Sequence, residues 1–96
     1  MCAAADITLD PGEGVQPIAS GITQVNGCNA ISVTCTAPAG MTGVFMNFDN
    51  GMNNPDINAE NPVVAMFTCN ANGRWEYRSN IAMTSYMIQQ ISCFSF

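Results

Sequence analysis

The stretch "FTCNANGRWEY", residues 67–77, decides the fold. Before its centre, "VVAMFTC" puts Val63, Ala65, Phe67 and Cys69 on one side. After it, Trp75 and Tyr77 alternate with Arg74, Glu76 and Arg78. Alternation of this kind is the signature of a β-strand, whose successive side chains point to opposite faces. Between the two runs stands Asn72-Gly73, a strong signal for a two-residue type I′ turn, which needs positive φ at both central positions. The segment therefore reads as a β-hairpin with Trp75 and Tyr77 turned into a core.

The same period extends outward. "AISVTCTA" places Ile31, Val33, Cys35 and Ala37 opposite Ser32, Thr34 and Thr36. "VFMNF" gives Val44, Met46 and Phe48 a common face, and "SYMIQQISCFSF" reads as one extended run. Pro62 opens "NPVVAMFTCN", as suits the start of a strand. Turn signals separate the runs at "DPGEG", "NG" (26–27), "APAG" and "DNG". No apolar stripe recurs at helical spacing. The expectation is one all-β domain over residues 1–96: a small antiparallel β-sandwich of about six or seven strands, stapled by disulfides. Its expected core includes Ile31, Val33, Cys35, Val44, Met46, Phe67, Trp75, Tyr77 and Ile91.

Composition excludes several functions. The 96 residues hold two basic side chains, Arg74 and Arg78, no lysine, no histidine and seven acids, for a net charge of −5. Nucleic-acid binding requires several cations to neutralise phosphates, so it is not expected. Membrane insertion is not expected either, because a span needs about twenty apolar residues. With no histidine or lysine there is no general base for a serine or cysteine nucleophile. Paired-carboxylate hydrolysis by Asp49, Asp56 or Glu60 has little room for a substrate cleft in so short a chain. The reading is a protein without catalytic residues or cofactors.

Five cysteines stand at 2, 28, 35, 69 and 93 with wide gaps and no C-x-x-C. Zinc ligation lacks both the spacing and the histidines. Cys35, Cys69 and Cys93 each fall on the apolar side of a strand, where a bridge within or between sheets would lie. Two readings remain: free cysteines buried as small hydrophobes in a cytosolic core, and, as the favoured one, disulfides in a secreted domain. The opening "MCAAADITL" has neither a basic region nor an apolar one, so a secreted chain whose leader has been removed is expected. Four paired cysteines allow three connectivities, and one cysteine is left over for a free thiol or a bond to another chain.

Taken together, "CAAADITL", "CNAISVTC", "FTCNANGRWEY" and "IQQISC" resemble the nematode six-cysteine extracellular domain, over nearly the whole chain. The resemblance implies a secreted, cystine-rich β domain with no enzymatic activity. It also implies a further cysteine just before Cys2, paired with Cys28. That partner is missing from this sequence, so Cys28 is expected to be unpaired or intermolecular, with Cys2, Cys35, Cys69 and Cys93 forming two bridges.

Two non-enzymatic roles follow. The first is an extracellular structural or adhesive module that self-associates into an oligomer or fibre through sheet edges. Tyr86, Ile88, Phe94 and Phe96 share one face of the last run and are its association candidates. From Ser79 to Phe96 no charge and no proline guards a strand edge against pairing with a neighbour. The alternative is a ligand-binding module for carbohydrate or calcium. The loop "DNGMNNPDINAEN" offers Asp49, Asp56 and Glu60 as carboxylate ligands, although its spacing is not that of an EF-hand.

Overall fold

The computed structural model describes residues 2–3, 6–12 and 15–96. The last two residues of the turn expected at 10–14, Glu13 and Gly14, lie outside them. The hairpin at 67–77 forms, but with a different turn. The strands Val63–Cys69 (β6) and Trp75–Ser79 (β7) pair Cys69 with Trp75. The Gly73 N–H donates to Asn70 O at 3.1 Å, and the Asn70 N–H donates to Arg74 O at 2.8 Å. Of the loop residues only Gly73 has positive φ, at 75°. This is a three-residue connection, a turn over Ala71-Asn72 followed by a left-handed glycine. Asn70 decides it, since its Oδ1 accepts the N–H of Asn72 at 2.9 Å and of Arg74 at 3.0 Å. The type I′ geometry occurs instead at Asn26-Gly27, where φ is 51° and 78°. There it joins Thr23–Val25 (β3) to Cys28–Cys35 (β4) with Val25 opposite Cys28.

The remaining strands are Thr8–Asp10 (β1), Ile18–Ala19 (β2), Val44–Phe48 (β5), Thr84–Met87 (β8) and Gln90–Ser95 (β9). One sheet runs β1-β9-β5 and the other β2-β4-β6-β7-β8, with β3 also paired to β4. The nine strands among the described residues exceed the expected number because β1, β2 and β3 have only two or three residues each. So short a run shows no alternation of its own, and its partner strand fixes its register. All pairings are antiparallel except β1 with β9.

The sheets meet through their inward residues. Val44, Met46, Phe48, Ile91 and Cys93 face Ile31, Val33, Cys35, Val63, Ala65, Phe67 and Trp75, all buried. Phe48, Phe67 and Tyr77 pack with ring centroids 5.2–5.9 Å apart, at distances where tilted and edge-on aromatic pairs are favourable. Tyr77 itself is only half-buried, because its hydroxyl reaches out to accept the Asp56 N–H at 2.9 Å. Cys35–Cys93 joins β4 to β9 and so ties sheet to sheet, while Cys2–Cys69 ties the N-terminal segment to the end of β6.

The final run is not one strand. It leaves the second sheet after β8 and enters the first as β9. The corner is pinned by Asp49, whose Oδ1 accepts the N–H of Gln89 and of Gln90, both at 2.9 Å. Asp49 also donates its own N–H to Gln90 O at 2.9 Å. Crossing the corner shifts the alternation by one residue. Tyr86 and Ile88 turn inward before it, and Ile91 and Cys93 turn inward after it.

Candidate functional site

The parity shift separates the four association candidates. Ile88 is only 3% exposed and belongs to the core, so it is removed from the set. Tyr86 is half-buried and stacks on Tyr77 with centroids 6.5 Å apart and planes 9° apart. Only Phe94 and Phe96 lie on the outer face, and a residue the sequence reading did not single out, Phe45, joins them. Phe45 is opposite Phe94 in the β5–β9 register. The missed signal was in "VFMNF": if Val44, Met46 and Phe48 face in, Phe45 faces out.

The three rings form a patch. Phe45, Phe94 and Phe96 are 44%, 38% and 43% exposed, and the Phe45 and Phe96 centroids are 5.1 Å apart. The backbone holds Phe96 in place. Its N–H donates to Gly43 O at 3.0 Å, and its carbonyl accepts the N–H of Thr42 at 2.7 Å and of Gly43 at 3.2 Å. The Phe96 ring lies over Gly43, where an added Cβ would come within 2.8 Å of the ring edge. Glycine is thus required there by close approach. Asn47, half-buried, and Ser92, buried, are paired across the strands next to Phe45 and Phe94. Gln90 Nε2 donates to Asp10 Oδ2 at 2.9 Å further along that face.

The acid-rich loop has a structural task. It runs back along the outer edge of β5. The Val44 N–H donates to Glu60 O at 2.9 Å, and the Phe48 N–H donates to Asn53 O at 2.8 Å. Between them the Asn58 side chain imitates a peptide group. Its Oδ1 accepts the Met46 N–H at 2.8 Å and its Nδ2 donates to Met46 O at 3.0 Å. The carboxylates proposed for calcium point to separate duties, Asp49 to the β8–β9 corner and Asp56 to the β7–β8 turn. Among the described residues no three acids, cysteines or histidines gather as a metal site.

Asp56 Oδ1 accepts the Ser79 hydroxyl at 2.6 Å, and Oδ2 accepts the N–H of Asn80 at 2.7 Å and of Ile81 at 3.3 Å. The Ser79 hydrogen bond, helped by those two N–H groups against partial desolvation, holds the Asp56 carboxyl below its ordinary 3.8. The folded state therefore favours the ionised form. The tether is complete above pH 3.8 and is lost as pH falls through the lowered value. An NMR titration should show the Asn80 and Ile81 amides moving only below pH 3.8, and Asp56→Asn should remove that step. Amides that move at higher pH would reject the tether.

Cys28 is free and exposed at the start of β4. It lines a shallow cleft with Gly27, Asn29, Cys69 and Asn70. Asn29 Nδ2 donates to Cys2 O at 3.3 Å, so the N-terminal segment passes beside Cys28. Among the described residues the cleft walls carry no carboxylate and no base.

Compared with known proteins, the chain matches the C6 domain family over residues 2–93. No curated protein and no solved structure matches it.

Proposed function

The chain belongs to the C6 domain family, a cysteine-rich module, and from that premise we propose that it is an extracellular, non-enzymatic adhesive module. The observation that carries this reading is the Phe45–Phe94–Phe96 patch, three large rings left in water on one face of a small, rigid, disulfide-tied sheet. Exposed aromatic clusters on a rigid scaffold are favourable contact sites, because burying them on a partner costs little conformational freedom. Two disulfides support an oxidising, extracellular setting. The absence of histidine and lysine from the sequence supports the non-enzymatic part.

The test is adhesion of cells to plates coated with the protein. Phe45→Ser with Phe94→Ser should lower adhesion by about tenfold, as loss of buried aromatic anchors does. Both disulfides should remain intact by mass spectrometry. A folded variant that adheres like the parent rejects the reading. A second reading, carbohydrate binding, is favoured by Asn47 and Ser92 beside the rings, since sugars stack on aromatic faces and need polar groups at the rim. Glycan-array signal from the parent, lost in the same variant, would select it.

A further inference from the structure

We infer that β8 is the assembly edge of this protein and that its occupant is the β8 strand of a second copy, paired antiparallel about a two-fold axis through Tyr86. This rests on the reading of the chain as an associating module, but it uses a different surface from the phenylalanine patch.

The argument begins with the sheet edges. An open edge presents unpaired N–H and C=O groups, and proteins guard it by covering it, shortening it, or placing charge or proline on it. The outer edge of β5 is covered by Asn53, Asn58 and Glu60. β1 has three residues, ends in Asp10 and is followed by Pro11. β2 has two residues and follows Pro17, and β3 has three. β9 is paired on both sides. Among the outermost strands β8 is the exception. It has four residues, Thr84 to Met87, with no charge and no proline.

The direction of its free groups follows from one bond. The Ile88 N–H donates to Trp75 O at 3.0 Å, toward β7. Backbone groups alternate along an antiparallel strand, so Tyr86 and Thr84 also bond toward β7, and Ser85 and Met87 present theirs outward. Among the described residues no other main-chain group takes up these outward N–H and C=O groups.

A second β8 satisfies them. A two-fold axis normal to the sheet at Tyr86 sets Ser85 opposite Met87 of the second copy, and Met87 opposite its Ser85. Each such pair exchanges both N–H···O bonds. Tyr86 then faces Tyr86 of the second copy on the inner side. The existing Tyr77–Tyr86 stack becomes a row of four rings across the seam, and aromatic cross-strand pairs are stabilising. The chain's net charge of −5 opposes association, but the charges on neighbouring β7, Glu76 and Arg78, cancel.

Sedimentation across a concentration series tests the pairing. The parent, 10.2 kDa as a monomer, should pass to a dimer as concentration rises. The Ser85 and Met87 amides should gain protection from exchange in step. Met87→Lys leaves the bonds toward β7 in place but guards the edge, and should weaken dimerisation by about tenfold or more. Phe45→Ser with Phe94→Ser should leave it unchanged. Register is read separately in a Cys28→Ser background. Tyr86→Cys should cross-link two copies, because non-hydrogen-bonded partners sit about 4.5 Å apart at Cα, within disulfide range. Thr84→Cys should not.

A parent that stays monomeric up to about 1 mM overturns the pairing, as does a Met87→Lys protein that dimerises like the parent. Adhesion through the patch could survive either result. Dimerisation lost only in the phenylalanine variant would also overturn it, moving association to the first sheet.

Discussion

Replacing Cys35 and Cys93 together by alanine is expected to cost about 4 kcal/mol. The bridge closes a loop of 58 residues, and the chain-entropy cost of leaving a loop of that length open is of this size. Small domains have only about 5–15 kcal/mol in total. The double variant should therefore unfold at a far lower urea concentration, or fail to fold at 37 °C as small secreted domains without a native bridge often do. The bridge also has a position that raises its worth. Both cysteines are fully buried, and they join β4 of one sheet to β9 of the other. Among the described residues no hydrogen-bonded ladder joins the two sheets, since each runs within a sheet. A urea midpoint close to the parent's would show that packing alone holds the sheets together.

Trp75→Ala is expected to cost about 3–5 kcal/mol, the range for removing a large buried aromatic side chain. Trp75 is the largest fully buried side chain and stands at the start of β7, opposite Cys69. Its indole Nε1 donates to Ala3 O at 2.9 Å, beside the Cys2–Cys69 bridge. The ring therefore fills the core and also anchors the N-terminal segment. Trp75→Phe separates the two roles. It keeps most of the packing and removes the indole donor, leaving the Ala3 carbonyl only the Asp6 N–H at 3.0 Å, a loss of about 1 kcal/mol. Denaturant unfolding should place Trp75→Phe much closer to the parent than Trp75→Ala. Equal losses would mean that the hydrogen bond, not the packing, is the larger part.

Much of this was determined by the sequence alone. Alternation over 30–37, 44–48 and 63–77 is a local property, because each strand must bury one side. It gave the all-β class and an inward set that is buried throughout except for half-buried Ala37 and Tyr77. What the tertiary structure decided is where side chains, some near in sequence and some distant, interrupt those local rules. Asn70 selected a longer turn than Asn72-Gly73 implied. Asp49, some forty residues away, turned the last run through a corner. Alternation continued without that corner puts Ile88 and Phe94 on one face, yet Ile88 is core and Phe94 is surface. The acidic loop read as a ligand set because its residues are oxygen-rich, but Asn58 reaches back to Met46 and closes an edge. Asn58 and Met46 stand 12 residues apart and Asp49 and Gln89 stand 40 apart, beyond the reach of any one strand's alternation. Which edges are covered and which stays open, and hence where this protein can meet another, is fixed only when the sheets assemble.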